Sequence, residues 1–152
     1  MLGLLLLAGC GFQMRGATSI PPEMARTYID TGDRHSPFYQ RVRRELASAG
    51  IDIVDSPLEA TATFSVVSDI TGQRVLSVSA RNVPTEFEVF YTVAYAVLTE
   101  NETLLETRSQ TLTRDYTWDE TRVLGKEREE QLLRDALADD IVRVVMIQLS
   151  GI

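Results

Sequence analysis

Phe87-Glu88-Val89-Phe90-Tyr91-Thr92-Val93-Ala94-Tyr95-Ala96-Val97 is the stretch that decides the fold. In an extended chain, successive side chains point to opposite sides. Phe87, Val89, Tyr91, Val93, Tyr95 and Val97 therefore share one face. Glu86, Glu88, Phe90, Thr92, Ala94 and Ala96 share the other. One side is made for a core and the other for water, with Phe90 as the apolar exception. The β-branched and aromatic residues on the inner side favour a long strand buried on one face.

The same logic extends outward. Glu100-Asn101-Glu102 is a hairpin turn, and 104–116 returns as a mostly polar strand with Glu106, Arg108, Gln110, Thr111, Thr113 and Arg114. Upstream, Ala62, Phe64 and Val66 alternate with Thr61, Thr63 and Ser65. A turn or bulge is expected at Thr71-Gly72, the extended pattern resumes over 75–79, and Asn82 to Pro84 is the next turn. Ser36-Pro37 opens a helix, with Ser as cap and Pro at the first helical position. Phe38, Val42, Leu46 and Ala49 give it one apolar face; Arg41, Arg43, Arg44 and Glu45 take the wet side, and Gly50 stops it. A short strand over 25–31 precedes this helix and a strand stub over 51–54 follows it. The last helix covers 122–149, its buried stripe marked by Leu133, Leu137, Ile141 and Val144. Val142, Val145, Ile147 and Leu149 make its final turns apolar nearly all round, which predicts deep packing there. The order β-α-β-β-β-α predicts an α+β two-layer sandwich, with both helices on one face of a mostly antiparallel sheet. The other face, rich in Thr, Ser, Arg and Glu, is then open to solvent.

The chain has 152 residues, enough for one domain with its own core. A 44% hydrophobic and 24% charged composition is that of a globular protein. A net charge of −7 and a pI near 4.7 argue against a nucleic-acid partner. One cysteine and one histidine exclude an intramolecular disulfide, a multi-cysteine zinc site and a histidine cluster. No phosphate loop or nucleophile elbow is present, so neither catalysis, metal nor cofactor is expected. The pairs Glu100/Glu102, Glu129/Glu130 and Asp139/Asp140 read as solvated surface, and His35 as a loop residue. Trp118, between the last strand and the last helix, is either a lid on the core edge or an anchor for a partner.

The N-terminus carries the clearest processing signal. Residues 2–8 are apolar, but so short a helix reaches only about 13 Å, against a hydrocarbon core of about 30 Å. Residues 1–9 read as the end of a signal peptide lacking its positive region, which places the natural start upstream. Leu7-Ala8-Gly9-Cys10 resembles the bacterial lipobox. The resemblance implies lipidation of Cys10, cleavage before it, and stable anchoring by several acyl chains. By the same resemblance to Gram-negative lipoproteins, Gly11 rather than Asp after the cysteine implies the outer membrane. Residues 10–23 then form a lipidated tether and 24–152 a single domain. This tether begins at once with Phe12, Met14 and Arg15, which suits docking on protein or membrane.

These parts occur in a telling order: a lipobox, then Cys10-Gly11-Phe12-Gln13-Met14-Arg15-Gly16, a short strand, Thr31-Gly32-Asp33, and Ser36-Pro37-Phe38 opening an amphipathic helix. From Cys10 to Leu149 the sequence resembles the LptE family of lipopolysaccharide-assembly lipoproteins. The resemblance implies a plug inside the lumen of the outer-membrane β-barrel LptD, aiding barrel assembly and the delivery of lipopolysaccharide to the outer leaflet. It also implies lipopolysaccharide contacts through basic residues, matched here by Arg81 and Lys126, with Arg74 as an alternative to Arg81. Phe12, Met14, Arg15, Trp118 and Phe90 are the residues expected to meet the partner. An anionic ligand on a chain of −7 needs local basic spots that outweigh the global field. Two other classes compete: a lipoprotein adaptor or pilotin for another barrel, which would lack the Cys-Gly-Phe-x-x-Arg tether, and an envelope enzyme, which would need a nucleophile–base pair.

Overall fold

The computed structural model describes residues 20–117 and 123–152, without the side chains of 123–126. The described residues form β1 (Arg26–Asp30), α1 (Pro37–Ser48), β2 (Asp52–Val54), β3 (Ala62–Val78), β4 (Pro84–Thr99), β5 (Thr103–Thr117) and α2 (Val123–Leu149). Short 3-10 turns at Pro22–Ala25 and Pro57–Glu59 precede β1 and β3. The architecture is α+β, two helices on a mixed five-stranded sheet of order β2-β1-β3-β4-β5.

The antiparallel part is the expected meander β3-β4-β5. The parallel part is new. The stub after α1 is a true edge strand, with Arg26 opposite Asp52 and Tyr28 opposite Val54. β1 also runs parallel to β3, with Ile29 opposite Phe64. A helix between two strands returns the chain to the starting end of the sheet, so β2 must run the same way as β1.

No turn interrupts β3. Thr71 pairs with Tyr91 and Gly72 with Phe90, and the register shifts lie between Val66 and Ser68 and at 75–78 instead. The Thr71 hydroxyl donates to the Phe90 carbonyl at 2.9 Å, and the Phe90 ring fills the space over Gly72. Glycine is there for a close side-chain approach within a strand, one of the meanings a strand glycine can have.

The alternating stretch of β4 forms the floor of the core. Val89, Tyr91, Val93, Tyr95 and Val97 are fully buried. Phe64 stacks on Tyr95 at 5.4 Å, and Phe38 of α1 meets Phe64 at 6.5 Å. Such aromatic pairs stabilise by about 0.5–1.5 kcal/mol beyond their area. α1 starts as predicted: the Ser36 side chain accepts the Tyr39 N–H at 3.0 Å. It buries Phe38, Tyr39, Val42 and Leu46, while Ala49, expected on the apolar face, is the exposed C-cap. Gly50 follows at φ 90°, a left-handed conformation natural to glycine. α2 buries Leu137, Ala138, Ile141, Val142, Val145 and Leu149, with Leu133 and Val144 only half-buried. Its end is packed on one side only, since Ile147 remains 64% exposed. Val142, Val145 and Leu149 are buried as expected, and Ile147, on the far side of the turn, is the one of the four that faces solvent. No described helix is long and apolar enough to cross a membrane.

Candidate functional site

Three places bring candidate residues together: the open sheet face, the β3–β4 hairpin beyond the helices, and the seam between α1, α2 and β5.

Open-face residues of β4 alternate with its core residues. Phe90 lies on Gly72, Thr92 shares a hydroxyl hydrogen bond with Thr111 at 2.9 Å, and Glu88 pairs with Arg74. Glu88 keeps only 12% of its side chain exposed, so the Arg74 guanidinium is its principal compensating charge. Arg74 is thus engaged, and a phosphate would have to compete with a carboxylate for it. Phe90 is a half-buried aromatic beside this pair, on the same face.

Arg81 stands differently. Ser79 donates its N–H to the Val83 carbonyl and accepts that of Asn82, each at 2.8 Å, and Asn82 takes φ 61° to close the turn. Arg81 projects from this turn exposed, with no ion pair among the described residues. Four residues separate Arg74 from Ser79, so five steps of extended chain put them roughly 16 Å apart at the usual rise. The structure therefore does not gather Arg74 and Arg81 around one small anion. Lys126, Trp118, Cys10, Phe12, Met14 and Arg15 lie outside the described side chains.

The seam is built from groups whose pairing the sequence did not reveal. Arg41, read as a wet-side residue, turns toward α2 and binds Asp135 at 2.9 Å and Asp139 at 2.5 Å. Arg114 of β5 binds Asp140 at 2.6 Å, and Arg143 binds it at 2.8 Å. The Arg114 hydrogen bond is the main reason that Asp140 is held below its usual carboxylate range. Two of the acids that read as plain surface thus carry inter-element contacts. Beneath the seam, the Tyr91 hydroxyl accepts the Phe38 N–H at 3.3 Å and is influenced by the Asp69 carboxylate. Burial, then Asp69, pushes the Tyr91 hydroxyl pKa up. Burial likewise pushes Tyr95 up to about 12, and Tyr95 donates to Gln148 of α2. At the far end Tyr116 stacks on Phe87 at 5.5 Å and donates to Gln73 at 2.8 Å. The one available signal for Arg41 was its position beside the Phe38–Val42 stripe; its partners lie more than ninety residues away.

A sheet with one face under two helices and the other exposed, extended by a bare hairpin, defines a small α+β domain of the kind found in solved bacterial lipoproteins. The solution structure of lipoprotein B from Nitrosomonas europaea is similar with a TM-score of 0.76 and 27% identity, over 93% of this chain and 91% of that one. Rare lipoprotein B from Shewanella oneidensis shares the fold at 0.71 and 21% identity, over 83% and 94%. The LPS-assembly lipoprotein LptE of Yersinia enterocolitica is 26% identical over 149 residues, 97% of this chain and 72% of that protein. The Yersinia pestis LPS-assembly lipoprotein LptE is 24% identical over the same shares. The LptE lipopolysaccharide-assembly family model matches residues 24–149, and the chain belongs to that family.

Proposed function

We propose that this lipoprotein is anchored to the outer membrane through Cys10, sits as a plug in the LptD barrel, and takes part in moving lipopolysaccharide to the outer leaflet. The family match over residues 24–149 carries this reading. The hydroxyl- and charge-bearing open face suits a water-lined lumen, which is polar inside. In this reading residues 10–23 are the tether, and Phe12, Met14, Arg15, Trp118 and Phe90 meet the barrel. Arg81 and Lys126 contact lipopolysaccharide phosphates. Arg74 is the weaker candidate because Glu88 holds it. Lysine and arginine both serve phosphate, the first as a point charge and the second as a fork.

The test is co-purification. The lipidated chain, tagged at its C-terminus in its native host, is extracted from outer membranes in mild detergent. A large barrel eluting in equal amount supports the reading. Another barrel moves the protein to the adaptor class, and barrel assembly that persists after depletion of the chain overturns the assembly role.

A further inference from the structure

We draw no further inference here: the strongest candidate, the groove at the end of the sheet away from the β3–β4 hairpin, where Leu58 and Leu98 stand exposed beside Pro57 and Glu100, is an unpartnered apolar surface, and nothing in the structure shows what covers it.

Discussion

The Phe90 ring lies across Gly72, so that a Cβ built at Gly72 would stand 2.8 Å from the ring Cζ. The two residues are direct partners in the β3–β4 ladder. A glycine in mid-strand costs backbone entropy, and here the covering ring offsets part of that cost. Gly72→Ala should turn the ring out to solvent and destabilise the fold by about 1 kcal/mol, despite the better intrinsic strand propensity of alanine. The check is a urea-denaturation cycle with Phe90→Ala. The double variant should cost less than the two singles together, because each removes the same contact. Strict additivity would show that ring and glycine are energetically independent.

Arg41 holds two carboxylates of α2 at once and is the polar fastening of the helix layer. Its side chain is 18% exposed, whereas Asp135 and Asp139 are 36% and 56% exposed. Solvent screening at the acids limits the contribution, so Arg41→Met should cost about 1 kcal/mol rather than the several expected of a buried pair. The loss should shrink in 1 M salt. Melting temperatures at low and high salt measure it, and a cost that salt leaves unchanged would assign the effect to packing of the arginine stem.

The contrast between Arg41 and Phe38 shows what was legible in the sequence and what was not. Phe38, Val42 and Leu46 declare a helix face by spacing alone, and all three are buried. Likewise the alternation of β4 names the five residues of the core floor. Both signals are local, because the period of the element is written in neighbouring residues. Arg41 lies at the edge of its stripe, and only the placement of α2, nearly a hundred residues on, decides whether it faces water. The same holds for β2: three residues carry too little pattern to be placed until the sheet supplies an edge. Gly72 misled for a related reason. Glycine punctuates turns and also admits a crossing side chain, and its neighbours in sequence do not distinguish the two. The ligand-contact residues rested on resemblance rather than pattern, and for Arg74 the Glu88 partner changes the expectation.

Acid should loosen α2 at Asp140. Its folded-state pKa is lowered, first by the hydrogen bond from Arg114 and then by Arg143. A depressed carboxylate contributes stability that is present above the unfolded value, near 3.9, and lost as pH falls through the folded one. Asp140→Asn should therefore be less stable than the parent at neutral pH, with the two curves drawing together as pH falls below about 4. Unfolding free energies across the acid range test this. A gap that stays constant into strong acid would mean that the Arg114 contact does not depend on the charge of Asp140.

Alkali should act through Tyr95. The hydroxyl is buried, donates to Gln148, and has its pKa pushed up to about 12 by burial. A raised pKa stabilises the fold fully below the unfolded value, near 10, and that contribution disappears as pH climbs toward the folded one. Tyr95→Phe loses the hydrogen bond and leaves Gln148 without that donor, so near pH 8 it should be less stable by roughly 1 kcal/mol. Between pH 10 and 12 the parent should lose stability faster than the variant, and the gap should narrow. Tyr91, raised for the same reason, remains in both proteins, so the variant keeps part of the alkaline slope. Urea midpoints at pH 8, 10 and 11, followed together with tyrosinate absorbance, read the effect directly. If the midpoints of parent and variant fall in parallel over that interval, Tyr95 does not couple its ionisation to folding, and the alkaline slope belongs to Tyr91 and the other tyrosines.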